Sequence, residues 1–195
     1  MSRYCVFEST LMASTHYAER ILDAIATEDI ENGTFGYLDG LADGESNIYK
    51  FVKGFKEGSP VVVVDHPAWT EDTSKLTNQR RDNYINKADV PFRVRVVKKL
   101  DEFGITIEGI TSATQKIVTD VTDFTADEIN VTIDSTTGKL VAEKVTSSGT
   151  TASTTTSVFK ARIMRKRRMG ASLSTPLRTY GYATAIYEAK IIALA

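Results

Sequence analysis

The sequence predicts a mainly β protein, an antiparallel β-barrel or sandwich with one short N-terminal helix and a long polar loop or arm. Three observations support this fold class: a hairpin pattern over residues 129–141, alternation of apolar and polar residues in several other segments, and only one good helical pattern. The chain has 195 residues, of which 42% are hydrophobic, enough to fill one sizeable core. We therefore expect residues 1–195 to form a single β-rich domain.

The hairpin is the clearest local signal. Ile129, Val131 and Ile133 alternate with polar residues, as in a strand buried on one face, and apolar residues resume at position 140. Between the two runs, Asp134 can accept hydrogen bonds from nearby backbone, and Gly138 tolerates a positive φ. The pattern predicts two strands joined by a four- or five-residue turn, with no catalytic signature.

Other segments also have strand patterns, and these patterns predict burial on both faces in one strand and on one face in the others. The run of valines at residues 61–64 has no alternation, which predicts a strand buried on both faces. Alternation elsewhere predicts strands at residues 34–38, 92–97, 103–107, 159–164 and 187–191. We expect the segments at 92–97 and 103–107 to be neighbours in a β-meander.

Three segments depart from the strand pattern. Residues 14–26 carry an apolar stripe at helical spacing and predict the short N-terminal helix, with Ser14 or Thr15 as its cap; the stripe consists of Tyr17, Ile21, Leu22 and Ile25. Residues 68–89 are polar apart from isolated apolar positions, and we interpret them as an extended loop or arm anchored by Trp69. The Ser- and Thr-rich residues 145–157 predict a mobile loop or a weak strand edge.

Composition excludes several functional classes. No apolar run approaches the roughly 20 residues of a membrane-spanning helix, and residues 1–11 do not resemble a signal peptide, so we expect maturation in the cytoplasm. Cys5 is the only cysteine, and its apolar neighbours indicate a packed thiol. Phosphate-cradling and dinucleotide-binding glycine motifs are absent. We expect a non-enzymatic protein without a cofactor or a bound metal.

His66 is the strongest candidate for a chemical site because it follows Asp65 and precedes further carboxylates. A histidine beside carboxylates can act as a general base or a metal ligand. The only other histidine is His16, however, and no recognised catalytic spacing accompanies His66. Asp65, Glu71 and Asp72 could hold calcium, but they lack the spacing of a known calcium loop. A structural loop is the favoured interpretation.

A basic block at residues 160–168 holds six of the 24 Lys and Arg residues of the chain. One interpretation is binding to phosphate or to an acidic protein surface. The other is a solvated strand whose charge prevents edge-to-edge pairing. The formal net charge of −1 and the absence of interleaved aromatic residues make nucleic-acid binding the weaker function.

Several short segments resemble structural proteins of tailed-bacteriophage particles. They are residues 38–45, 60–72, 77–82 and 178–182. The hairpin at residues 133–140 is also similar to the short hairpins of phage capsid decoration proteins. The long spine helix of the usual tailed-phage shell protein has no counterpart in the sequence.

The resemblance implies a β-rich decoration protein of the virion, a class also called cement proteins, that binds the exterior of the assembled capsid and stabilises it. Its expected partner is the major capsid protein, and it would act as a homo-oligomer. We expect the contact surface to combine an aromatic anchor with basic residues. The candidates are Trp69, Arg80, Arg81, Arg165, Lys166, Arg167 and Arg168.

Other functions remain open from the sequence. A tail-tube or head-completion component would have a similar composition, and a nucleic-acid-binding protein would use the block at residues 160–168. A hydrolase based on His66 is the last alternative. The sequence does not decide whether the N-terminal segment or the region around Trp69 contacts the partner.

Overall fold

A computed structural model describes residues 4–16, 20–68, 74, 80–145, 159–168 and 185–194. The described chain is mainly β, as predicted, with one short α-helix, α1 (Gln115–Thr119), and 3₁₀ turns at Ala13–Thr15, Arg81–Asn83 and Ile107–Gly109. The described strands are β1 (Phe7–Glu8), β2 (Ile21–Ile25), β3 (Phe35–Leu41), β4 (Ile48–Lys53), β5 (Val62–Val64), β6 (Phe92–Val96), β7 (Glu102–Thr106), β8 (Ile129–Ile133), β9 (Leu140–Lys144), β10 (Phe159–Arg168) and β11 (Ala185–Leu194).

Five strands form a closed barrel in the order β2-β4-β3-β5-β6. The ring closes because β2 pairs with β6 on one side and with β4 on the other. The barrel prediction is confirmed, but the β2–β4 pair is parallel and departs from a wholly antiparallel arrangement. Its interior is apolar and holds Ala24, Ala26, Ile30, Phe51, Val62, Val64, Phe92 and Val94.

The other six strands form an antiparallel sheet in the order β1-β7-β11-β10-β8-β9. The predicted hairpin lies at one side of this sheet, with Ile133 opposite Leu140. One face of the sheet is apolar and packs on a second, larger core that includes Phe7, Phe35, Phe103 and Phe159. The opposite face carries charged side chains and forms the outer face.

Strand β5 lies between the two cores. Val62 and Val64 pack inside the barrel, whereas Val61 and Val63 pack in the larger core. All four side chains are buried. The absence of alternation in this segment therefore has the predicted cause, because apolar surroundings cover both faces of the strand.

The turn between β8 and β9 also joins the sheet to the barrel. The Asp134 carboxylate accepts a hydrogen bond of 2.8 Å from the Thr136 N–H, and Gly138 has a φ of +67°. The carbonyl oxygen of Gly138 accepts a 2.8 Å hydrogen bond from the Phe35 N–H at the start of β3. Gly54 packs so closely on Ser135 that a Cβ there would lie 2.3 Å from the Ser135 carbonyl oxygen. These contacts hold the turn against strand β3 and Gly54, and we call this turn the joint between the sheet and the barrel.

Other segments of the chain form hydrogen bonds with both edge strands of the six-stranded sheet. At β9, the Leu140 carbonyl oxygen accepts a 2.7 Å bond from the Thr111 N–H, and the Ala142 N–H donates to Thr114 Oγ1 at 3.1 Å, just before α1. At β1, the Arg81 guanidinium donates a 2.8 Å bond to the Phe7 carbonyl oxygen. These bonds oppose strand addition at the positions where they form.

The structure corrects two sequence predictions in the first half of the chain. The predicted helix over residues 14–26 is wrong: among the residues described there, the 3₁₀ turn ends at Thr15, and Ile21–Ile25 is strand β2. Leu22 and Ala24 of β2 face the barrel interior with the period of two that is typical of a strand. Pairing with β4 and β6 therefore determines the structure of this segment, although its apolar residues also occur at helical spacing. The meander is also wrong, because β6 belongs to the barrel and β7 to the sheet.

The polar segment at residues 68–89 is only partly described. Trp69, Glu71 and Asp72 lie outside the described residues, as do residues 146–157 of the Ser- and Thr-rich segment. Residues 80–89 are irregular but firmly attached, since Asn86 forms a β-bridge with Ile30 and is buried. This half of the segment is therefore packed against the barrel.

Candidate interaction surface

A β-bulge places the arginines of the basic block on the outer face of the sheet. Ile163 pairs with Ala189, but Arg165 pairs with Glu188, so Met164 is an extra residue in β10. Ile163 is buried on the core side, and strict alternation would turn Arg165 and Arg167 towards the core as well. The bulge shifts the phase by one residue and directs both guanidinium groups outwards.

These arginines join strands β10, β11 and β1 through shared carboxylates. Arg165 and Arg167 both donate through Nε to the Glu188 carboxylate, and Arg167 also donates through Nη2 to Glu8. Arg81 Nη1 lies 3.9 Å from the same Glu8 carboxylate. We name the five residues Glu8, Arg81, Arg165, Arg167 and Glu188 the arginine ladder.

The ladder holds its charges in place. Burial alone would raise the pKa of Glu188, but hydrogen bonds and charge from Arg165 and Arg167 outweigh it and lower the pKa. The hydrogen bond to Glu188 in turn raises the pKa of the Arg167 guanidinium. The Glu188 side chain is mostly buried, whereas the Arg165 side chain is 66% exposed. Arg165 is therefore the member most accessible to a partner.

Other charges on the same face are also paired. Lys190 Nζ lies 3.0 Å from Glu102 Oε1, and Arg162 Nη1 lies 2.8 Å from Glu128 Oε1. Lys166, in contrast, points to the other side of β10, where its ammonium lies 5.6 Å from the centre of the Tyr187 ring. The basic block is thus neutralised in part by carboxylates and does not form a uniformly positive patch.

The structure separates the residues predicted to bind a partner. Arg165, Arg167 and Arg81 meet in the arginine ladder, and Lys166 faces away from it. Arg80 instead forms an ion pair with the buried carboxylate of Asp82, which indicates a structural role. Trp69 and the side chain of Arg168 are outside the described part of the protein.

A cleft of about 260 Å³ opens beside the ladder. Gly104 forms part of its wall, where a Cβ atom would lie 2.8 Å from Ile186 Cγ2 and 3.3 Å from Glu8 Cβ. The described residues that line the cleft are Glu8, Thr10, Leu11, Glu102, Phe103, Gly104, Arg167 and Glu188. Sequence reasoning missed this site because its carboxylates come from three strands that are far apart in the chain.

His66 and Asp65 form hydrogen bonds with different partners in the structure. His66 Nδ1 accepts a 3.1 Å hydrogen bond from the Arg93 N–H, and the ring stacks on Tyr84. Burial, assisted by the charge of Arg93, lowers the pKa of His66. The Asp65 carboxylate accepts from Arg95 Nε at 2.5 Å and also from Ser9 Oγ. Both side chains therefore hold neighbouring segments together.

Neither a metal centre nor a reactive thiol is present among the described residues. No group of three or more His, Cys, Asp or Glu side chains there could hold a metal ion. Cys5 is only 2% exposed, and burial raises the pKa of its thiol to about 12. The prediction of a packed thiol is confirmed, because a protonated and inaccessible sulfur is a poor nucleophile.

Comparison with known proteins gives no family for this chain. No protein-family model, curated protein sequence or solved structure matches it at a significant level. Within the described residues, no helix has the length and apolar character needed to cross a bilayer. Functional inference therefore depends on the surface described above.

Proposed function

We propose that this chain is a non-enzymatic structural protein of a tailed-phage particle that binds the assembled capsid and stabilises it. The observation that carries the proposal is the arginine ladder, which fixes charges of both signs on one sheet face. Arranged charges of both signs are suited to recognising a complementary protein surface, where they set orientation and exclude wrong partners. The resemblance to phage decoration proteins supplies the partner, the major capsid protein.

The ion pairs on this face of the sheet also argue against nucleic acid as the partner. Arg162, Arg165 and Arg167 each form an ion pair with a glutamate of the chain. A phosphate backbone would have to compete with these carboxylates and would be repelled by them. A nucleic-acid-binding protein is therefore the second choice, and its affinity would fall steeply as salt is added.

The six-stranded sheet also favours a partner that binds to its face and not to its edges. Its edge strands are bonded by other segments at Leu140, Ala142 and Phe7, and the five-stranded barrel is closed. We therefore expect a partner, including a second copy in a homo-oligomer, to contact side chains on a face of the protein. This geometry agrees with a subunit placed on the exterior of a capsid.

The test is the copy number of the chain relative to the major capsid protein, measured by quantitative mass spectrometry of purified particles from the virus that encodes it. A ratio near one, or a simple fraction set by shell symmetry, is expected. A few copies per particle would instead assign the protein to the neck or tail, and rings or tubes seen by electron microscopy would support that alternative. Absence from particles would contradict a virion role.

Two substitutions and one matched control test which surface binds. We expect Arg165→Glu to lower capsid occupancy about tenfold, which corresponds to about 1.4 kcal/mol, because Arg165 is the exposed member of the ladder. Lys144→Glu is a matched charge reversal on β9 at the far edge of the sheet, and should leave occupancy unchanged. Trp69→Ala should also weaken binding without unfolding the protein; unchanged occupancy would remove Trp69 from the interface.

A further inference from the structure

We propose that the last five residues of β10 bind an extended acidic segment of a partner protein, which adds to the sheet as a further strand. Pairing of β10 with β8 ends at Ile163, opposite Ile129, whereas pairing with β11 continues to Arg168. Among the described parts of the chain, residues 164–168 therefore have a strand on one side only. The inference goes beyond the proposed function, because it holds for any partner that carries such a segment.

The hydrogen bonds of β11 show which of its residues bond to β10. Ile191 bonds away from β10, since its N–H donates to the Asp101 carbonyl oxygen and its own carbonyl oxygen accepts from the Leu100 N–H, both at 3.0 Å. Bonding direction alternates from one residue to the next along an antiparallel strand. The even-numbered residues Glu188 and Ile186 therefore bond in the opposite direction, to β10.

Two residues of β10 direct their backbone groups to the free side. The partners of Glu188 and Ile186 are Arg165 and Arg167, which use their backbone groups for β11. Lys166 alternates with them, so its N–H and carbonyl oxygen face away from β11, as do those of Arg168. No described residue bonds to these groups. Alternate donors and acceptors of this kind are what an added strand binds.

This side of β10 differs from the two edge strands of the sheet. β1 and β9 are bonded by other segments of the chain, at Phe7 and at Leu140 and Ala142. β10 is instead an interior strand that extends past its neighbour β8. The side chains of Arg165 and Arg167 lie on the outer face of the same stretch, so a partner bound to that face would also reach the free side.

Charge determines which kind of segment can add here. Four of the five residues at 164–168 are basic, and the two carboxylates of the arginine ladder neutralise only Arg165 and Arg167. Lys166 is exposed and forms no ion pair with any residue that the structure describes. Opposite charges directly across a strand pair stabilise it. The added segment therefore needs an acidic residue opposite Lys166.

The same charges argue against a second copy of β10 as the added strand. An antiparallel pair of two such stretches centred on Lys166 would place this lysine opposite its own copy and Arg165 opposite Arg167. Like charges directly opposite each other destabilise a strand pair, and basic residues on free edges oppose self-pairing. The occupant is therefore a segment of a different protein.

The first experiment titrates the isotopically labelled chain with the capped peptide Ser-Thr-Val-Glu-Val-Thr-Ser and follows the backbone amide signals by NMR. We expect saturable shifts of the Lys166 and Arg168 signals at millimolar peptide. The same peptide with N-methyl groups on its backbone amides cannot donate to β10 and should bind at least tenfold more weakly. A peptide with lysine in place of glutamate tests the charge and should also bind more weakly.

Two substitutions at one position separate main-chain bonding from charge. Lys166→Gln removes the charge but keeps the backbone N–H, and we expect it to weaken peptide binding about threefold. Lys166→Pro also removes the N–H on the free side, without removing a donor to β11, and should weaken binding at least tenfold. Circular dichroism and urea denaturation check that both variants are folded. If Lys166→Pro does not fold, the N-methylated peptide still tests main-chain bonding on the original protein.

Several outcomes would overturn strand addition. They are no binding of the acidic peptide, signal shifts confined to residues outside 164–168, and binding of the N-methylated peptide within twofold of the unmodified one. Equal binding by folded Lys166→Pro and Lys166→Gln would assign the contact to charge alone. If sedimentation equilibrium shows that the original chain self-associates and Lys166→Pro does not, the occupant is a second copy and the inference is wrong. The copy number in particles tests the proposed function separately.

Discussion

The closed barrel and the six-stranded sheet differ in how their outermost strands find hydrogen-bond partners. In the barrel, each strand has a neighbour on both sides, and the interior holds a small apolar core. The sheet remains open, bonds its described edge strands to Arg81 and to the segment before α1, and leaves one face for charged residues. The arginine ladder and the cleft both lie on the open sheet.

The two regions also differ in their cores. Phe35 lies in the larger core with ring centres 5.2, 5.6 and 6.3 Å from those of Phe159, Phe103 and Phe7. Inside the barrel, Phe92 has one such partner, Phe51, at 5.6 Å. The sheet core is therefore the more aromatic of the two, and we expect it to contribute more to the free energy of unfolding.

The largest expected effect tests this difference. Removing a buried phenylalanine side chain costs about 3–5 kcal/mol of stability, and aromatic pairs add to that range. We expect Phe35→Ala to lie at the upper end and Phe92→Ala at the lower end, measured by urea denaturation. A larger loss for Phe92→Ala would reverse the ranking of the two cores. Two separate unfolding transitions would show that barrel and sheet unfold independently.

The joint between the two regions gives the next largest effect. Gly54 combines a φ of +90° with a backbone contact on Ser135 that leaves no room for a Cβ atom. We expect Gly54→Ala to cost on the order of 3 kcal/mol, from backbone strain and overpacking together. Gly44→Ala is the control, because Gly44 has a φ of +81° but open space around it. Equal losses for the two variants would mean that the contact with Ser135 does not stabilise the joint.

The next effect is smaller and concerns how the stability of the barrel region depends on pH. Because burial lowers the pKa of His66 below its usual 6.5, the folded barrel favours the neutral ring. The unfolded chain then binds a proton first, so stability should fall as the pH drops below about 6.5. We expect His66→Gln to flatten this part of the stability profile, measured by urea denaturation between pH 7 and 5. An unchanged slope would show that His66 is not the group responsible.

The smallest effect lies on the sheet face. Since the pKa of Glu188 is lowered from about 4.5, its contribution is present above that pH and is lost as the pH falls further. Glu188 is mostly buried, but solvent screens its exposed partners Arg165 and Arg167, so these ion pairs contribute only about 1 kcal/mol. Glu188→Gln should therefore change stability at pH 7 slightly and reduce the acid sensitivity below pH 4.5. Greater acid sensitivity in the variant would contradict the pairing of Glu188 with Arg165 and Arg167.

Several local features could be predicted from the sequence because their causes are local. The hairpin around Asp134 and Gly138 was predicted with its strands and its turn, since a period of two and a positive-φ glycine need no distant partner. The double burial of β5 and the packed Cys5 were also predicted, because each lies in a run of apolar residues. The N-terminal helix failed because strand β2 is set by its neighbours and not by its own pattern.

By itself, the sequence predicted the hairpin of β8 and β9 with its turn and the strand patterns of β3, β5, β6, β7, β10 and β11, but it did not predict β1, β2 or β4. Tertiary structure alone decided that five strands close into a barrel, that Met164 forms a bulge and that Glu8, Glu102 and Glu188 meet at one cleft. The physical reason is that strand pairing joins residues far apart in the chain. A shift of one residue in register then changes which side chains share a face.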